Sequence, residues 1–272
     1  MTVITTLISR HCTVHATDSF ITRLNAEGHR EVLEPQQSKI VTIRQFRGMM
    51  SYWGLATFEQ YQWSTYEWLR RQATHQCDSA EAFAHYIAVE LNSALSRMVF
   101  QNPLESGIGI HFSAYERVGD YWIPEMFLIS NWQDTSYTLL RASGVGCSRE
   151  TFHTLNNEPP SEDHRDREFR MLVHNYLQED GNFIGYNNGD PLIFKPAADT
   201  IFEQFKTIAR RGHLKDPSSV HTYLNMARRP VEIVSNTQRD FCESRFRCVG
   251  GKPHDLAVTP AGTYESTTGD AE

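Results

Sequence analysis

The chain opens with two strand-like runs, residues 2–8 and 12–17, separated only by Ser9-Arg10-His11. So short a connection permits an antiparallel hairpin and no crossover. Residues 21–38 are polar, carry Gly28 and Pro35, and predict a long loop or ribbon. Two further strands are predicted over 39–45 and 48–55, turning at Gly48. The period then changes. Thr57 and Gln60 match a capping box and predict a helix from Thr57, with Phe58, Tyr61, Thr65, Trp68 and Leu69 on one face. Asp78 and Glu81 start a second helix, whose apolar stripe is Phe83, Ile87, Leu91, Leu95 and Met98.

Strand patterns return over 107–115, 121–130 and 135–142. A charged, proline-containing linker over 155–168 precedes three helices. The first covers 169–177 and is closed by Gly181; the second covers 201–209 and stops near Gly212. The third covers 218–229, with Pro230 starting or kinking a further turn. Residues 250–258 lead into a last strand. This order predicts an α+β plan in which antiparallel sheets are covered by helices. It fits one domain over 1–262 and a disordered polar tail over 263–272.

Composition removes several functions. The formal charge is −7, and basic pairs such as Arg70-Arg71 and Arg210-Arg211 are isolated, which argues against a nucleic-acid partner. No apolar run reaches the ~18–20 residues that span a bilayer. The first residues lack the basic n-region of a signal peptide, and cysteines 12, 77, 147, 242 and 248 form no C-x-x-C, so a cytoplasmic setting is predicted. His11 and His15 share a strand face but Cys12 points the other way, and Cys242 and Cys248 have poor zinc spacing. The charged run 162–168 reads as a solvated helix start. No metal and no cofactor is predicted.

Thr2 and Asp18 lie sixteen residues apart on the two arms of the hairpin. Lys39 opens the third strand, and Gly54 follows it by fifteen residues. A threonine hydroxyl is a weak nucleophile that needs a base beside it. A free α-amine titrates around 7.7–8.0, so near neutral pH part of it can accept that proton. These residues in this order resemble the N-terminal segment of the proteasome-type N-terminal nucleophile hydrolases, among them the bacterial proteasome-like and ancestral bacterial homologues. Residues 2–57 carry the motif, 57–99 match the helix pair, and the Val249-Gly250-Gly251 segment resembles the family's late turn.

The resemblance implies an αββα sandwich of two antiparallel sheets flanked by helices. It implies Thr2 as nucleophile once Met1 is removed, with its own amine as base. Lys39 would tune that amine, Asp18 would orient Lys39, and the Gly54 N–H would hold the oxyanion. Met50 would lie near the pocket for the substrate side chain, and Ser143 or Ser148 would supply the family's serine in a Gly-rich loop. No cofactor is implied. Peptide or protein substrates and a homo-oligomeric ring are, with any unfoldase partner unspecified.

The sequence departs from the pattern in places. Asp18 and Lys39 are 21 residues apart, about five more than usual in the family. Cys12 stands where the first turn often has Gly. The family's late Asp has no clear counterpart; Ser235-Asn236-Thr237 falls near its place, and Asp240 is a distant candidate. Two alternatives follow: an inactive proteasome-like assembly or partner-binding subunit, and a small-molecule amidase using the same nucleophile. Lys39 reads as partly exposed, so its removal is expected to change stability little.

Overall fold

The computed structural model describes residues 2–24, 30–34, 36–134, 137–151, 165–179, 182–189 and 194–267. Met1, Gly28, Pro35, Gly181 and most of the expected linker lie outside them. The opening hairpin forms as β1 (Ile4–Ile8) and β2 (Thr13–Thr17), both fully buried. The expected ribbon is a two-stranded pair, β3 (Ile21–Leu24) and β4 (Arg30–Glu34). Next come β5 (Ile40–Ile43) and β6 (Gly48–Gly54), joined by a short 3-10 turn.

Residues 57–64 are not the start of a helix. They make a small hairpin, β7 (Thr57–Phe58) and β8 (Trp63–Ser64), with Gln62 left-handed at φ 50°. Helix α1 (Thr65–Gln72) begins one hairpin later, where Ser64 accepts the N–H of Glu67. That is a second Ser-x-x-Glu capping box, and it prevails because Trp63 packs on Trp68 and donates to Thr65. Helix α2 (Ala80–Leu95) is capped by Ser79 and buries Phe83, Ile87, Leu91 and Leu95 as its stripe requires.

β9 (Ile108–Val118) and β10 (Tyr121–Ser130) form a long hairpin. The strand expected over 135–142 instead lies at β11 (Gly146–Arg149); the earlier stretch contributes one bridge, Trp132 to Leu140. The chain continues with α3 (Arg165–Gln178), β12 (Ile184–Asn188), α4 (Phe194–Arg210) and α5 (Val220–Phe241). Pro230 neither starts nor breaks α5; it sits buried within it, among side chains whose packing offsets the lost backbone bond. β13 (His254–Val258) is the expected last strand, but it is followed by β14 (Tyr264–Glu265). The predicted disordered tail is therefore ordered as far as Thr267, whose N–H reaches Asp255 Oδ1 at 2.8 Å.

Among the described residues the strands form two five-stranded antiparallel sheets, ordered β12-β1-β2-β13-β14 and β11-β10-β9-β6-β5. Helices α1 and α2 pack on the second sheet around Phe112 and Phe127; α4 and α5 pack on the first around Val14 and Ala16. The two sheets meet through Ile40, Met49, Tyr115, Leu256 and Val258. Polar bridges join them too: His15 bonds Ser51 at 2.7 Å and Ser113 at 2.9 Å, and Thr6 bonds His111 at 2.8 Å. On the outer side, Arg170 of α3 pairs with Glu116 and Glu125 of the long hairpin.

Candidate active site around Thr2

Thr2, Asp18 and Lys39 converge. The hairpin register carries Thr2 back beside Asp18, whose Oδ1 accepts the N–H of Val3 at 3.0 Å. Lys39, just ahead of β5, reaches across from the second sheet. Its Nζ donates to Thr2 Oγ1 at 2.9 Å, to Asp18 Oδ1 at 3.0 Å and to the carbonyl of Phe20 at 2.7 Å. Three acceptors around one nitrogen require three N–H donors, which only the charged ammonium has. Thr2 accepts from Lys39, so its own hydroxyl proton points elsewhere, free for a base.

All three side chains are buried; Thr2 is 3% exposed, and Asp18 and Lys39 are 0% exposed. Burial pushes the Lys39 ammonium below the ordinary lysine value, while Asp18 and, less strongly, the Cys248 thiol pull it back up. Asp18 Oδ2 is buried without a hydrogen-bond partner among the described residues.

Among the described residues no hydrogen bond joins the other expected residues to this cluster. Gly54 closes β6 with φ +87°, a conformation that L side chains avoid, and a Cβ there would lie 2.1 Å from the carbonyl oxygen of Gly107. A glycine is thus required by backbone geometry alone. Met50 is fully buried in the core under α1 and α2, with no open surface around it. Ser143 lies exposed in the turn before β11, and Ser148, on β11, donates to Glu150 at 2.6 Å. β11 is the edge of its sheet opposite β5, four strand spacings or about 19 Å away.

The end of β12 also meets Thr2's strand. Asn188 pairs with Ile4, and a Cβ on Gly189 would touch Val3 at 2.8 Å. Asp240 is exposed on α5 and paired with Arg239.

What α5 contributes is Gln238. Its Oε1 accepts the N–H groups of Cys248 at 2.9 Å and Val249 at 3.0 Å, and its Nε2 donates to Cys248 Sγ at 3.4 Å. This clamp fixes the turn behind Lys39, and Gly250 carries it on to Phe20 by accepting the N–H of Ser19 at 3.1 Å. Its local sign is a buried glutamine in the last turn of the helix, twelve residues before Gly250-Gly251. Among the described residues no group of His, Cys, Asp and Glu is arranged to hold a metal, and the five thiols are free.

No family model and no curated protein matches this sequence. Among solved structures, the chain is similar to Anbu, the ancestral beta-subunit from Yersinia bercovieri. The two superpose with a TM-score of 0.50 at 10% identity, over 98% of this chain and 88% of that one. The fold is proteasome-like. At that identity the likeness speaks for architecture alone, and the chemistry rests on the geometry around Thr2. Among the described residues no helix is long and apolar enough to cross a membrane.

Proposed function

We propose that this protein is an N-terminal threonine hydrolase that cleaves peptide or amide bonds, built as a four-layer αββα sandwich. The observation that carries the reading is the Lys39 ammonium shared between the Thr2 hydroxyl and Asp18. Once processing leaves Thr2 as the first residue, its α-amine takes the hydroxyl proton and Oγ1 attacks the substrate carbonyl. The C–N bond breaks, the amine product leaves with that proton, and an ester to Thr2 remains. Water, deprotonated by the same amine, then cleaves the ester and regenerates the hydroxyl. Lys39 keeps the amine neutral by like-charge repulsion and stabilises the developing oxyanion of Thr2. The N–H at Gly54 is assigned to the substrate oxyanion.

Mass spectrometry after treatment with an epoxyketone or β-lactone tests this directly. An adduct on a chain that begins at Thr2, absent in Thr2→Ala, supports the reading; a correctly processed chain that neither labels nor cleaves a peptide panel sinks it. A second reading, an inactive proteasome-like subunit, is favoured by one feature: Thr2 is almost fully buried. The same labelling decides between them.

Self-association into a cytoplasmic ring belongs to this proposal. It is supported by side chains such as Val89, Val99 and Phe241, which are 66%, 72% and 85% exposed. Light scattering that returns the 31.3 kDa monomer would remove it.

A further inference from the structure

A cleft of about 600 Å³ lies between the C-terminal half of α5 and the turn into β13. Phe20 and Gly250 form the wall on the Lys39 side. The carbonyl of Phe20 is the one that accepts from Lys39, and Gly250 packs so closely that a Cβ would lie 2.3 Å from the Phe20 ring. The buried Lys39 ammonium thus donates both to the backbone of this wall and to the Thr2 hydroxyl.

The charge in the cleft is opposite to that of the chain. Arg229, Arg239 and Arg247 line it, against Glu232 alone. Glu232 is already occupied, by Arg228 at 2.5 Å and Arg229 at 3.3 Å. Arg239 is 62% exposed, and its guanidinium pairs with its neighbour Asp240 at 2.9 Å. Arg247 donates to the carbonyls of Arg239 and Cys242 at the end of α5, so its charge is not cancelled by a carboxylate among the described residues. Ser235 and Asn236 add uncharged hydrogen-bonding groups to the same wall.

We propose that this cleft binds an acidic stretch of the substrate, with a Glu or Asp side chain near the scissile bond held by these guanidinium groups. The inference rests on the threonine-hydrolase reading and adds the substrate class. Guanidinium groups bind a carboxylate through paired N–H donors, which a neutral amide cannot match. In a protein of net charge −7 the preference must be local, and salt must weaken it.

The test uses two labelled peptides that differ only by Glu or Gln. Binding is read by fluorescence anisotropy on the full chain carrying Thr2→Ala, and hydrolysis on the wild type. We expect the Glu peptide to bind about tenfold more tightly, the scale of one charge-assisted hydrogen bond. Arg229→Gln with Arg239→Gln should erase that ratio, as should raising salt from about 0.1 to about 0.5 M. Equal binding of the two peptides, or a ratio that survives in the double variant, overturns the inference. Charge-selective binding without any hydrolysis by the processed wild type removes the hydrolase reading and leaves the cleft assignment standing. Hydrolysis indifferent to Glu or Gln, with equal binding, does the reverse.

Discussion

The Thr6 hydroxyl on β1 lies 2.8 Å from Nδ1 of His111 on β9, so one neutral imidazole bolts the first sheet to the second. On its other side, His111 Nε2 donates to Asn188 Oδ1 at 2.5 Å, while the Asn188 amide nitrogen donates to Tyr137. Burial pushes His111 down to about 4, and burial with the nearby His111 holds His15 well below the usual imidazole range. The unfolded chain therefore takes up these protons first. For both, stability falls once pH drops below about 6.5; for His111 the loss runs down to about 4 and amounts to on the order of 3 kcal/mol. Urea unfolding across that range should show the loss, and His111→Gln should flatten it. Wild type and variant losing stability in parallel would contradict this assignment.

Lys39 is fully buried, contrary to its expected partial exposure, and this changes what its removal does. Lys39→Met should lower turnover about 10²–10⁴-fold through loss of base activation. It should also cost about 3–5 kcal/mol, because Asp18 is left as an unpaired buried charge. Adding Asp18→Asn should recover much of the stability and none of the probe labelling. A double variant as unstable as Lys39→Met would mean that Asp18 draws its support from elsewhere. Lys39→Arg should fail to label, since a planar guanidinium cannot place three donors on the three acceptors around Nζ.

Gln238→Leu removes the acceptor of two buried N–H groups and should cost about 2 kcal/mol. Hydrogen exchange at the Cys248 and Val249 amides should accelerate, and labelling of Thr2 should slow while the variant stays folded. Unchanged protection at both amides would show that other contacts hold the turn.

Gly54→Ala meets two obstacles, the positive φ and the Gly107 carbonyl. We expect a loss of at least about 2 kcal/mol, read as a lower urea midpoint. Unaltered stability would show that β6 ends with slack the geometry does not reveal.

Much of the site could be read locally, and the failures have a common cause. Thr2, Asp18 and Lys39 were legible because a tight hairpin and the strand that follows it place them within forty residues of one another. The α2 stripe was legible because helical packing repeats every turn. The first helix was misplaced because Thr57-x-x-Gln60 and Ser64-x-x-Glu67 are both sound capping boxes, and only the Trp63–Trp68 contact chooses. Asn188-Gly189 reaches Thr2's strand through a pairing between residues more than 180 positions apart, which no local pattern encodes. Gln238 bonds amides only ten and eleven residues on, but a helix-to-turn contact leaves no periodic pattern.

The sheet that holds Thr2 is assembled from distant parts of the chain. β1 finds one neighbour in β12, where Ile4 meets Asn188, and β2 finds the other in β13, where Thr17 meets His254. During synthesis the hairpin leaves the ribosome long before either flanking strand. Pairings this distant in sequence form late. The turn from Cys248 to Gly250 that backs Lys39 belongs to the same late segment. A nascent chain thus carries Thr2 in an unassembled sheet, and the activity proposed for it would have to wait for β12 and β13.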